Sequence, residues 1–326
     1  MTRVLPFVIP EPKRTLFRGH QDKVVSVVFS PNDKHVASTS LDGTARIWEV
    51  ETGNEIRYFD EHNGYPISST FSPDGKLIVL IYDTGITLIW NNETGIVERL
   101  LECNSARSCA FSPDGKFLAI GLMSGEVDVY TLRGNDITRW KHVHKHDQEV
   151  DSLSFSLDGK RLVSGSEDRT VGIYNVGSDI ELKWVAKSEC FVKTPTFSPD
   201  GKYVAFGSEH DTHITILDAE TGSTVRRIHC GILHVYPVRF SSNGQWLIYV
   251  GQGYLLTFME TRTEKQIKKI PFLENVWSFD ISGNDAKLAI NTCNDHQVRD
   301  VNTFGILDFG GPNLGAMSPE EAELFI

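Results

Sequence analysis

No Cys-x-x-Cys pair occurs among the five cysteines, Cys103, Cys109, Cys190, Cys230 and Cys293. Odd in number and scattered, they offer neither a disulfide framework nor a zinc site, and suit reduced thiols in the cytoplasm or nucleus. Long apolar runs are missing too: no stretch reaches the roughly 18 residues a membrane-spanning helix needs. The opening MTRVLPFVIPEPKR has no apolar core of signal-peptide length and no small-residue cleavage pattern, so secretion is not expected. Basic charge is short, with 32 Lys and Arg against 43 Asp and Glu and a net charge of -11. That balance withholds the broad basic face on which direct nucleic-acid binding depends. The pairs Arg226-Arg227 and Lys268-Lys269 sit in strand-like alternation and read as solvated faces. No Walker loop, Gly-x-Gly-x-x-Gly, Gly-x-Ser-x-Gly or His-Glu-x-x-His motif is present, so neither catalysis nor a cofactor is expected.

What the chain does have is repetition. A Phe-Ser precedes a turn at Phe29, Phe71, Phe111, Phe155, Phe197 and Phe240, and Ile281 takes the same place in a seventh unit. The anchors stand about 42 residues apart, a period that points to a repeat architecture. Each leads into a turn: SPNDK, SPDGK, SPDGK, SLDGK, SPDGK, SSNGQ and SGNDA. A second marker follows at Trp48, Trp90, Tyr130, Tyr174, Leu217, Phe258 and Arg299. Asp-Gly between β-forming runs signals a hairpin, because glycine accepts the positive φ of a tight turn. Four short strands per unit, with almost no helical periodicity, predict seven four-stranded antiparallel blades.

In the first unit Gly19-His20, the following FSP, and LDGTARIWE with its Trp48-Glu49 dipeptide resemble the tryptophan-aspartate (WD) repeat. The resemblance runs over about residues 15–301 and implies an all-β, seven-bladed β-propeller. It also implies a buried hydrogen-bond network of loop His, second-strand Ser, turn Asp and third-strand Trp, here His20, Ser38, Asp42 and Trp48. The set nearly recurs as His146, Ser164, Asp168 and Tyr174. Buried Asp and His tolerate desolvation only when their hydrogen bonds are made, so these residues read as staples and not as a catalytic triad. Other units depart from the pattern. Leu80 and Thr84 replace the Ser and Asp in the second, Ile120 and Ser124 in the third; Leu217 replaces the aromatic in the fifth, and the last has Cys293 and Arg299. Blades 3, 6 and 7 are therefore expected to rely on apolar packing. The best metal-like run, His142, His144 and His146 on one face of an extended strand, loses His146 to the network, and no metal site is expected.

Eight outer-strand candidates, from TLFR at 15–18 to ILDF at 306–309, compete for seven blades. An unpaired strand invites association, so one terminal strand should complete the last blade. Residues 15–18 are expected to do so, leaving 1–14 as an N-terminal extension, 15–301 as the propeller and 302–326 as a C-terminal extension. The final SPEEAELF reads as a short helical tail with Ser318 as N-cap and Pro319 in the first turn.

The resemblance implies, finally, where a partner would dock: at residues six and four positions before each anchor and at the residue before the turn Asp, around the upper rim. The first set is Lys23, Tyr65, Ser105, Glu149, Phe191, His234 and Asn275; the second includes Arg107, Asp151, Lys193, Tyr236 and Trp277; the third includes Leu41, Asp83, Met123, Glu167 and His210. Aromatics with an Arg are the types in which binding energy concentrates. Tyr65, Phe191, Tyr236 and Trp277 are candidate anchors, each with packing inside its blade as the alternative. Glu149, Asp151 and Glu167 suit a Lys- or Arg-bearing peptide. The expected function is a non-catalytic protein- or peptide-binding scaffold within a multiprotein complex. Two alternatives stand beside it: a purely structural subunit held through blade sides or termini, and a propeller-fold enzyme built on the Glu149, Asp151 and Glu167 carboxylates.

Overall fold

The computed structural model describes residues 13–60, 64–101, 105–133, 136–251, 255–272, 275–293 and 303–308. Among these residues every regular element is a strand, and the strands form seven four-stranded antiparallel sheets. Blade 1 sets the pattern with Val24–Phe29, His35–Ser40, Thr44–Glu49 and Glu55–Asp60, each paired with the next. The inner strands are Val24–Phe29, Pro66–Phe71, Ala106–Phe111, Val150–Phe155, Val192–Phe197, Val238–Phe240 and Asn275–Ile281. They lie side by side around a central channel, and the first contacts the last.

The recurrent Ser of each turn closes its hairpin. Ser72 Oγ donates to Asp74 Oδ1 and accepts the Leu77 N–H at 2.9 Å; Ser112, Ser156 and Ser198 repeat both bonds. A hydroxyl that donates to a side chain and accepts from the backbone leaves no buried polar group unpaired at a sharp reversal.

Apolar packing is divided among seven clusters, one between each pair of neighbouring blades. This follows from strands buried on both sheet faces, which read as nearly continuous apolar runs such as Leu77–Tyr82. Aromatic side chains cross two of the seams: Phe17 meets Trp48 edge-on at 5.7 Å between ring centres, and Phe59 meets Trp90 at 5.6 Å.

Inside blade 1, His20 Nε2 lies 2.7 Å from Ser38 Oγ, and Trp48 Nε1 donates to the same oxygen at 2.8 Å. An indole N–H can only donate, so the serine hydrogen is free for His20 Nε2, and Nδ1 then carries the proton toward Asp42 Oδ2 at 3.1 Å. Blade 4 repeats the arrangement, with His146 2.7 Å from Ser164 and 3.0 Å from Asp168, and Tyr174 OH 3.2 Å from Ser164. Thr44 and Thr170, which the sequence reading did not include, complete the two sets at 3.0 and 2.8 Å from His Nδ1. Burial would raise the Asp42 and Asp168 carboxyls, but hydrogen bonds from side chains and backbone N–H groups outweigh it and hold both below the usual carboxylate range.

Blade 2 lacks this network, and the buried Trp90 Nε1 has no partner among the described residues. The two tryptophans therefore differ in what a phenyl ring would cost. Trp48→Phe should destabilise the protein by about 1–2 kcal/mol more than Trp90→Phe, because only the first removes a buried hydrogen bond, the one to Ser38 Oγ. Chemical denaturation of the two variants checks this; equal losses would place the stabilisation in ring packing alone.

Ring closure differs in one respect from the sequence reading. Lys13–Arg18 is the outermost strand of blade 7, as the closure argument expected. Thr303–Asp308, however, belongs to the propeller rather than to a C-terminal extension: it is the third strand of blade 7, between Lys13–Arg18 and Lys287–Cys293. Leu307 pairs with Leu288 as Trp48 pairs with Val36, so Leu307 and not Arg299 holds the second-marker position. The spacing misled because this unit carries extra residues before its third strand. Arg299 and the SPEEAELF segment lie outside the described residues. The seam between blades 7 and 1 also carries polar ties: Asp280 accepts the Phe29 N–H at 2.8 Å, Asp33 accepts the Gly283 N–H at 2.7 Å, and Asn291 Nδ2 donates to Val24 O at 2.7 Å. Blade 7 is thus not held by apolar contacts alone. Nor is blade 3, where buried Asp128 lies 2.8 Å from His142 Nδ1 and 3.4 Å from Arg139.

Candidate functional site

The rim owes its side chains to one repeated irregularity. The register between inner and second strands slips between Val24 and Ser26, Pro66 and Ser68, Ala106 and Ser108, Val150 and Ser152, and Val276 and Ser278. Each slip leaves one residue unpaired: Val25, Ile67, Arg107, Asp151 and Trp277. A bulge of this kind bends the strand and re-aims the side chain, here at the strand end that opens the channel. In blade 5 the slip follows Lys193 directly, and in blade 6 the strand begins after a cis Tyr236–Pro237 bond.

The charged members pair across blades. Arg107 Nε lies 3.2 Å from Glu149 and 3.5 Å from Asp151. Lys193 Nζ lies 2.6 Å from Asp151, 3.0 Å from Glu167 and 3.7 Å from Glu209. Four carboxylates thus share two cations along an arc over blades 3 to 5. Burial raises the Asp151 carboxyl, and Lys193 offsets only part of the rise; Glu149 moves the same way by burial, with Glu167 and Asp151 adding like charge. For Lys193 burial acts downward, but the surrounding carboxylates prevail and its pKa is raised. Every one of these shifts favours a bound proton, as a site with excess negative charge should.

Glu209 was absent from the sequence-derived set, which placed His210 there. Its N–H bonds to Phe191 O at 3.2 Å, as the Glu167 N–H bonds to Glu149 O at 3.3 Å, so Glu209 is the structural equivalent of Glu167. An extra residue in the fifth unit displaced the count by one. The aromatics divide. Phe191 lies beneath the Arg169 guanidinium, 5.9 Å from its ring centre. Tyr65 is partly exposed and stands apart on blade 2, with its N–H on Asp83 at 2.9 Å. Tyr236 and Trp277 line one cavity of about 240 Å³ together with Glu209 and His234.

Below the rim the channel is a cavity of about 450 Å³ whose wall includes Ser26, Ser69, Ser108, Ser152 and Ser278, with Arg239 and Asp280 at one side. Among the described residues no three His, Cys, Asp or Glu side chains are placed to hold a metal ion. His142 turns to Asp128 and His146 to Asp168, so these two do not converge. Cys190 and Cys230 are free thiols, and burial pushes Cys230 up to about 11, which leaves it protonated and unreactive. No helix among the described residues is long and apolar enough to cross a membrane.

Comparison with known proteins gives the same architecture. The family model described as "WD domain, G-beta repeat" matches residues 10–49, and that of the "Anaphase-promoting complex subunit 4 WD40 domain" matches residues 109–190. THO complex subunit 3 of Arabidopsis thaliana is 24% identical, over 66% of this chain and 82% of its own length. WD repeat-containing protein 82 of Drosophila melanogaster is 26% identical over 64% of this chain and 54% of its own. U3 small nucleolar RNA-associated protein 12 of Saccharomyces cerevisiae is 34% identical over 51% of this chain and 13% of its own. Apart from the first, the match spans little more than half of these relatives, or much less. The repeat motifs, the seven four-stranded blades and the family models agree: the chain is a seven-bladed β-propeller of WD repeats.

Proposed function

We propose that the protein is a non-catalytic scaffold subunit that binds a protein or peptide partner through the rim at the channel mouth, within a larger assembly in the nucleus or cytoplasm. The observation that carries this reading is the arc from Arg107 to Trp277. Five successive blades present a charged or aromatic side chain at the same strand end, and Trp277 keeps 57% of its surface exposed. Large exposed aromatics on a rigid frame are the usual anchors of interfaces. Relatives named as a subunit of the THO complex and as an RNA-associated nucleolar protein support membership of an assembly.

A second reading has its own observation. On the opposite face, the turns of blades 5 and 6 enclose a larger groove of about 400 Å³, whose lining includes Tyr203, Val225, Phe240 and Trp246. Tyr203 and Val225 are exposed, and a structural subunit clamped from that side would use them.

Crosslinked capture with the double variant Tyr65→Ala, Trp277→Ala, beside a Val225→Asp control, separates the two. Both rim residues are exposed, so the variant should melt with wild type. The expected outcome is a stoichiometric partner lost by the rim variant and kept by the control. Loss in the control alone would overturn the rim assignment in favour of the opposite face.

A further inference from the structure

Trp277 is a bulge residue held between buried Val276 and the channel residue Ser278, so its indole is fixed outward by backbone geometry. It lines the cavity of about 240 Å³ together with Tyr236, His234, Val250 and Val276, and Glu209 supplies a carboxylate. His234 is itself positioned, its Nδ1 accepting the His210 N–H at 3.3 Å. We propose that this cavity receives the guanidinium of an arginine carried on an extended segment of the partner, an inference that rests on the rim being the docking face.

Three features select that group. A guanidinium is flat and weakly hydrated, and lies against aromatic faces at little desolvation cost, whereas a lysine ammonium would surrender a tight hydration shell. The chain uses this pairing elsewhere, with Arg169 over Phe191 and Arg46 over Tyr58, each 5.9 Å from the ring centre. Glu209 supplies the matching anion. Its contact with Lys193, at 3.7 Å, is the longest that lysine makes, so its oxygens keep acceptor capacity for a forked donor. The excess of carboxylates along the adjoining arc then attracts a cation and repels an acidic side chain. An apolar side chain would fill the aromatic walls but leave Glu209 covered and unpaired, which is unfavourable.

The test needs no knowledge of the partner. With the protein labelled with nitrogen-15, the Trp277 indole N–H is assigned by its disappearance in Trp277→Ala. N-acetylarginine methylamide is then titrated against the lysine, leucine and glutamate equivalents. The arginine probe should move the Trp277 resonance at concentrations about fivefold below the lysine probe. That preference should vanish in Glu209→Gln, whose melt serves as the folding control. A response to leucine equal to that of arginine, or a preference that survives Glu209→Gln, overturns the arginine assignment. The rim reading is judged separately by partner capture with Trp277→Ala. A partner lost there, together with no arginine preference, removes this inference and leaves the docking face standing.

Discussion

Gly207→Ala should lower stability by about 4 kcal/mol, in the range of severe overpacking of a core that cannot relax. Gly207 lies in Tyr203–Ser208, the second strand of blade 5. A Cβ there would sit 1.4 Å from Val235 O and 2.6 Å from Val235 C, both backbone atoms. No rotamer can relieve a clash with a neighbouring main chain, so the segment leading into blade 6 must shift. That segment carries His234 and Tyr236, and the rim cavity should deform with it. Gly231→Ala is the informative comparison: its φ of 73° disfavours a side chain, but nothing lies within 4 Å of the added carbon. A loss near 1 kcal/mol is expected for that variant. Thermal and denaturant melts of the two, side by side, separate steric clash from backbone conformation; a mild effect at Gly207 would mean that the blade 5–6 junction yields easily.

Lys193→Met should cost about 3 kcal/mol at neutral pH, as expected when one partner of a largely buried ion pair is removed and the other stays charged. Asp151, Glu167 and Glu209 would then face one another without the ammonium between them. The pH dependence distinguishes this cause from lost packing. Asp151 already has a raised pKa in the fold through burial, and loss of the lysine raises it further. A carboxyl raised in the fold penalises the native state while ionised, and the penalty disappears as pH falls through the raised value. The gap between variant and wild type should therefore narrow as pH falls from 7 toward the ordinary carboxylate range. Asp42 and Asp168 have lowered pKa values, so their contribution persists until pH falls below the ordinary carboxylate value of 3.8. A gap that stays constant over this window would falsify the electrostatic account.

The blades were legible in the sequence because their determinants are local. Phe71, Ser72, Asp74 and Gly75 make an anchor, a cap and a turn within a few residues, and Ser72 bonds inside that stretch. The His20 and His146 networks were legible for a related reason, since their members recur at fixed distances within one unit. Three things were not. The insertion before Thr303–Asp308 broke the period, and a strand recognised by spacing alone was assigned to a tail. The equivalence of Glu209 with Glu167 rests on a backbone bond to Phe191 O, which composition does not encode. The Lys193 pairings join residues on different blades, so their geometry exists only once the ring has formed.

The pairing of Lys13–Arg18 with Thr303–Asp308 also bears on how the molecule comes into being. Six sheets are assembled from neighbouring hairpins and can form as the chain is synthesised. The seventh joins the first strand of the propeller to be synthesised with the last. Such a distant contact carries the largest loop-closure entropy and slows the step that depends on it. Until it forms, the nascent chain is an open arc with one sheet incomplete, the kind of intermediate that chaperones shield. Pairing of Lys13–Arg18 with Thr303–Asp308, rather than the folding of any single blade, is therefore the step that closes the ring.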